Sequence, residues 1–339
     1  MGHPAGAPRR VSPPQPPAIS YREFAPARPL AGVVRAYFSF MPYAPRTGGR
    51  RVVREALIGA GAPFNLPMLA DARTSLVLDL THVCHVERGW SAAAQLEARI
   101  IGPRRQAWLP GADYRAEMVG AYLQPGASEA LFGMPASEFT DRYAPLEAVL
   151  GPRSVDVLTE AVPLHEVARV QLLERMLINQ LKRPVQRGSV DVPTLAAWVQ
   201  RHPTVTVENV AQLAGVSRRQ LARLFERAVG VSPKRFCRLA RFKRGLAYAG
   251  AGGGVPWAQV ASDLGYSDQS HLIAECQELA GLTPEGLATR QWFHPFILEA
   301  QASATSAGAG VERAAPFASL TRSASTTWVA RDPWWRKRA

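Results

Sequence analysis

Cysteine is scarce in this chain: Cys84, Cys237 and Cys276 are the only three in 339 residues. Three scattered thiols give no disulfide framework, and that points to a reducing compartment, which we take as the cytoplasm. Long apolar runs are also missing. No stretch approaches the roughly 18 residues a membrane span needs, and the opening MGHPAGAPRRVSPPQPPAIS has prolines where a secretion signal carries its apolar core. Neither a membrane nor an export route is expected. Acidic residues are in the minority, 27 against 40 Lys and Arg, for a net charge of +13. Such a cation seeks phosphate-rich partners, which says nothing of its fold.

Catalytic signatures are thin as well. Gly252 to Gly254 have no following Lys-Ser/Thr, so they read as a loop and not as a phosphate cradle. In THVCHV, His82 and Cys84 share one strand face and His85 takes the other, which supplies two of the three or four ligands a metal requires. No metal, cofactor or enzymatic activity is expected.

What is present divides the chain. Residues 1–18 hold six prolines and read as a disordered arm. Residues 19–152 read as a β-rich domain for sensing or dimerisation: between 30 and 124, short apolar runs such as VVRAYFSF, TSLVLDLTHVCHV, RIIGP and AEMVGAYLQP alternate with Gly, Pro and Asn, the pattern of an antiparallel β domain. Residues 153–193 form a helical connector and linker. Within it Val167, Val170, Leu173, Leu177 and Leu181 recur at threes and fours, an amphipathic stripe that fits either its own domain or a twin helix in a dimer. Residues 194–290 are helical, and 291–339, rich in Ala, Ser and Thr before a basic end with Trp334 and Trp335, read as mostly disordered. The class is α+β.

The helical part repeats itself. Val210, Ala211 and Gly215 return fifty positions later as Val260, Ala261 and Gly265; Leu221, Gly230 and Pro233 return at fifty-one as Leu272, Gly281 and Pro284. Each copy reads as a short helix starting near Thr206 or Pro256, a glycine turn, a second helix, then Gly-x-(Ser/Thr)-Pro, the layout of a helix-turn-helix. In the first copy Ser217 and Gln220 form a capping box. Leu221, Leu224, Phe225 and Ala228 then fall on one face, and Arg219, Ala222, Arg223 and Glu226 on the other. One face packs and one is presented. An exposed arginine face on a lone helix usually has no task, but here turn, cap, packing face and repeat agree on a helix lying in the major groove of DNA, where Arg pairs with guanine O6 and N7.

A third helix, SPKRFCRLARFKRGLAYA, is capped by Ser232 with Pro233 in its first turn and buries Phe236, Leu239, Phe242 and Leu246. Its cations are expected to follow the phosphate backbone. The copies differ in charge. Residues 217–244 carry ten Lys or Arg against Glu226, while residues 245–289 carry none against Asp263, Asp268, Glu275, Glu278 and Glu285. The first unit is therefore expected to supply most of the affinity, through Ser217, Arg218, Arg219, Arg223, Arg227, Lys234, Arg235, Arg238 and Arg241. The second is expected to add modest readout through Gln269, Ser270, His271 and Ile273, the last as a thymine-methyl contact.

On these residues, above all VASDLGYSDQSHLIAECQELAGLTP, residues 194–290 resemble AraC-type transcriptional regulators. The resemblance implies two helix-turn-helix units joined by a long helix, with the helices after Ser217 and Ser267 in successive major grooves on one face of DNA. The chain departs from the family's usual pattern at Ala274 and Cys276, where Arg and Phe are usual, and at Gly245, where Ala is usual. Residues 122–151, YLQPGASEALFGMPASEFTDRYAPLEAVLG, look like the end of the cupin-like β domain of one group of these regulators, although Ala70-Asp71-Ala72 stands where Pro-Asp-Gly is common. This implies a small-molecule effector without naming its ligands. Duplex DNA is the expected partner; an effector, RNA polymerase and a second copy of the chain stay open. The competing class is a DNA-tethered cupin-like enzyme or an alkylation-repair protein, and Cys84 lacks the activating context the latter needs.

Overall fold

The computed structural model describes residues 19–41, 52–58 (backbone only), 69–80, 96–107, 117–181, 190–249 and 255–289. The proline-rich arm, the His82–His85 stretch, Gly252 to Gly254, most of the linker and residues 290–339 lie outside the described residues. Among the described residues no helix is long and apolar enough to cross a membrane.

Among the described residues seven strands form one sheet in the order β3-β1-β2-β6-β4-β5-β7: β1 (Ile19–Phe24), β2 (Val34–Met41), β3 (Val52–Ile58), β4 (Ser75–Asp79), β5 (Glu97–Ile101), β6 (Met118–Leu123) and β7 (Tyr143–Pro145). Every pairing is antiparallel. Because side chains alternate across a strand, the sheet has two buried faces. One presents Phe24, Tyr37, Leu76, Leu78, Ile100, Val119 and Ala121. The other presents Tyr21, Ala36, Phe38, Val77 and Tyr122. On that second face Phe38 lies opposite Gly120, and a Cβ at Gly120 would sit 2.3 Å from its ring. Glycine there lets Phe38 lie flat enough to stack on Tyr122, with ring centroids 4.3 Å apart.

Short helices follow the sheet: α1 (Ala127–Phe132), α2 (Leu146–Leu150) and α3 (Asp156–Ala161). The longer α4 (Glu166–Gln180) lays its stripe of Val167, Val170, Leu173 and Leu177 on the first sheet face. Of the two settings the spacing allows, the structure has the stripe on its own sheet. Polar contacts fix the seat. Glu166 accepts from Arg22 at 3.3 Å and from Ser39, and Arg169 is paired with Glu117 at 2.7 Å while donating to the carbonyls of Ala161 and Val162. Buried charges are tolerated when paired and hydrogen-bonded in this way.

The remaining helices share a second core: α5 (Val192–Arg201), α6 (Val207–Leu213), α7 (Arg218–Val229), α8 (Pro233–Ala249), α9 (Trp257–Asp263), α10 (Gln269–Ala280) and α11 (Pro284–Thr289). The sequence repeat is a repeat of backbone. Gly215 and Gly265 take φ of 64° and 71° at the two turns, and Gly230 and Gly281 take 82° and 70° where α7 and α10 end. Only glycine adopts this left-handed region without strain. Leu69, Ala70 and Ala72, from the approach to β4, are buried in this helical core, and the Ala70 amide donates to the Leu279 carbonyl at 3.0 Å.

The two helix-ending glycines differ in surroundings. A Cβ at Gly281 meets nothing, whereas one at Gly230 would lie 2.7 Å from Pro103 and 2.8 Å from Thr140 Oγ1, whose hydroxyl donates to the Gly230 carbonyl at 2.6 Å. Both alanine substitutions incur left-handed strain of about 1–2 kcal/mol. Gly230→Ala is expected to cost at least about 1 kcal/mol more, through overpacking against the sheet domain. Paired denaturant melts of the two variants check this; equal losses would mean the close approach is not felt.

Candidate nucleic-acid interface

The start of α7 is fixed by its cap. Ser217 accepts from the Gln220 amide at 3.2 Å, and the Gln220 side chain returns the contact to the Ser217 amide. Helix α6 uses the same device with Thr206 and Asn209. Leu221, Phe225 and Val229 bury one side of α7, and Phe225 meets Phe236 of α8 edge-on at 5.4 Å. The opposite side presents Arg219, Arg223 and Glu226 to solvent. Because its underside is locked, the presented face has a fixed direction.

Helix α10 begins at Gln269, one residue later than expected, with Asp268 as its cap. The Asp268 carboxylate accepts from the His271 amide at 2.8 Å, and that bond, aided by Ser267, holds its pKa below the usual carboxylate range. A carboxylate at a helix N-terminus also gains from the helix dipole, an advantage Ser267 lacks. Gln269, Ser270 and His271 are exposed in the first turn; Ile273 is half-buried. Leu272, Cys276 and Leu279 face the core, so the cysteine takes the buried place where Phe is usual. Burial pushes the Cys276 thiol up to about 12 and Cys237 to about 11, which makes both poor nucleophiles.

The cations of the first unit separate into two groups. Arg219, Arg223 and Lys234 are exposed and make no ion pair among the described residues. Arg218, Arg227, Arg235, Arg238, Arg241 and Lys243 are engaged within the protein. Arg218 pairs with Glu208 at 2.9 Å on the open surface. Arg227 pairs with Glu129 of α1, one of its bonds being 3.0 Å. Arg235 reaches Glu278 and the Arg105 carbonyl. Arg238 reaches Glu275 at 2.7 Å and also Glu278, while Arg241 lies over the Tyr266 ring at 5.1 Å. Lys243 meets Asp71 at 3.0 Å, and Asp71 also holds Arg73, whose guanidinium lies 4.2 Å from the centroid of Tyr122 on the sheet. These two cations hold the Asp71 carboxyl below its ordinary pKa despite its burial.

Between the two units runs a groove of about 560 Å³, lined in part by Val205, Lys234, Arg238, His271, Ala274 and Glu278. Glu129, Asp71, Glu275 and Glu278 were not among the sequence candidates. For Glu275 and Glu278 the one signal in the sequence is the charge contrast between the two halves of the repeat; Glu129 and Asp71 lie outside the repeat and have none.

Gly245, where the family usually has Ala, is buried in α8, and a Cβ there would meet only Leu264, at 3.4 Å. That is ordinary contact. Gly245→Ala is therefore expected to raise stability by about 1 kcal/mol through helix propensity, measured as a higher denaturation midpoint; a loss would show that α8 needs the glycine.

Residues 210–290 match the family of helix-turn-helix domains, and residues 22–145 match a domain of unknown function (DUF6597). Similar solved structures include the C-terminal domain of AraT, a response regulator from Geobacillus stearothermophilus, at 20% identity and a TM-score of 0.28, covering 31% of this chain and 88% of that one. They also include ToxT from Vibrio cholerae, at 10% identity and 0.37, covering 68% and 94%. Wild-type ToxT with unsaturated fatty acid bound gives 11% and 0.34, covering 68% and 91%. A search of curated proteins returned no match. All three structural likenesses are loose, and the domain match carries the class. The helix-turn-helix match over residues 210–290 supports a DNA-binding transcription regulator. Its reader is an AraC-type helix-turn-helix domain, carried behind an N-terminal antiparallel sheet domain.

Proposed function

We propose that the protein is a sequence-specific regulator in which α7 enters the major groove and turns Arg219 and Arg223 to base edges. Ser217, Arg218 and Lys234 lie along the phosphates beside it. Helix α10 adds weaker readout from the next groove through Gln269, Ser270, His271 and Ile273. The observation that carries this reading is the pair Arg219 and Arg223, one helical turn apart, exposed, unpaired, and aimed by a capped helix whose other face is buried. Arg235, Arg238 and Arg241 are assigned instead to holding the reader together and Arg227 to holding it against the sheet domain, since each is engaged within the protein.

The sheet domain, residues 19–152, is assigned to sensing a small-molecule effector. Supporting this are the resemblance of residues 122–151 and the aromatic second face, where Arg73 stacks on Tyr122. Selection of bound duplexes from a randomised library tests the reading: a shared motif with guanines in it is expected, and recovery of unrelated duplexes at equal affinity rejects it.

A further inference from the structure

Resting on the DNA-reading role proposed above, we infer that Glu275 and Glu278 are positioning residues: they clasp α10 to α8, set the distance between the two recognition helices, and so fix which spacing of operator contacts the protein accepts.

Glu275 and Glu278 lie one turn apart on α10, and Arg235 and Arg238 lie one turn apart on α8. Arg238 forks between both acids, with Nε on Glu275 at 2.7 Å and its amino groups on Glu278; Arg235 also takes Glu278. Tyr266, in the turn before α10, donates to Glu275 at 3.4 Å, and its ring supports Arg241 of α8. Apolar contacts such as those of Leu272 and Leu279 are non-directional and allow one helix to slide on another. Forked guanidinium–carboxylate pairs do not, because a shift of a fraction of a turn breaks them together.

The clasp is attached at both ends. Phe236, two residues before Arg238, packs on α7, and the second amino group of Arg235 reaches the Arg105 carbonyl of the sheet domain. Arg238 and Arg235 hold the Glu278 carboxyl down to about 2, so it stays anionic at any working pH. A direct electrostatic role in DNA binding has the wrong sign. Two carboxylates beside Lys234 and Arg241 oppose a phosphate backbone, and their benefit must come from geometry. Spacing is sensitive to that geometry, since each base pair inserted between two contacted segments moves the second by about 3.4 Å and turns it by about 34°.

The test has two readouts. In the first, spin labels at Glu226→Cys on α7 and Gln277→Cys on α10, in a Cys84→Ser background, report the inter-helix distance without DNA. The wild-type clasp is expected to give one narrow distribution; Glu275→Gln/Glu278→Gln and, from the other side, Arg235→Gln/Arg238→Gln are expected to broaden it. In the second, the duplex recovered by library selection is titrated with zero, one or two base pairs inserted between the contacted segments. Wild type is expected to lose at least ~10-fold per insertion, the loss of a base contact, and the double-Gln acid variant less than ~3-fold. A uniform rise in affinity of that variant with the spacing penalty kept would overturn the inference, as would an unchanged label distribution. If wild type selects no duplex, the DNA reading fails, while the label distances still decide the clasp.

Discussion

The Arg223→Ala protein binds the selected duplex roughly 5- to 150-fold more weakly than wild type, the loss set by a bidentate guanine contact worth about 1–3 kcal/mol. Arg223 is exposed and makes no ion pair, so its removal breaks nothing within the fold. The loss should fall on the selected duplex and leave affinity for random duplex nearly unchanged. Lys234→Ala is the contrast: a phosphate contact weakens all duplexes alike and lowers the salt slope by about one. His271→Ala, on the less charged unit, is expected to lose less than Arg223→Ala. A larger loss there would reverse the ranking of the two units.

Arg169→Ala destabilises the sheet domain by about 3–5 kcal/mol, the usual result of removing one partner of a buried ion pair. Arg169 and Glu117 are each 3% exposed and lie 2.7 Å apart, and the guanidinium also serves two carbonyls at the end of α3. The substitution removes the Arg169 cation from Glu117 and this donor from both carbonyls. Arg169→Met, which keeps the volume, is expected to recover only the packing part, because Glu117 remains ionisable and buried. Urea unfolding followed by tryptophan fluorescence measures both. A loss below about 1 kcal/mol for Arg169→Ala would mean that α4 is held by its apolar stripe alone.

Most of the reader was legible in its sequence because its determinants are local. Ser217 and Gln220 are three residues apart, the glycine turns recur at fifty and fifty-one, and the two faces of α7 follow from the helical period. The antiparallel sheet was legible from alternation. Less local features were not. The same periodic stripe on α4 suits a sheet or a twin helix, and only the buried partners Arg22, Ser39 and Glu117 decide between them. The ion pairs of α8 were not legible, because the acidic partners stand 40 and 172 positions away, as in Arg238 with Glu278 and Lys243 with Asp71. Ser267 and Asp268 are adjacent capping residues, and the stronger acceptor took the place. The strand expected to carry His82 and Cys84 on one face and His85 on the other lies outside the described residues.

Guanine N7 methylation interference on the selected duplex tests the central claim most directly, since N7 is exposed only in the major groove. Methylation of one or two guanines is expected to abolish wild-type binding and to have no further effect on Arg223→Ala or Arg219→Ala. Interference that persists unchanged in both variants, or binding indifferent to N7 methylation at every guanine, would contradict a major-groove role for α7.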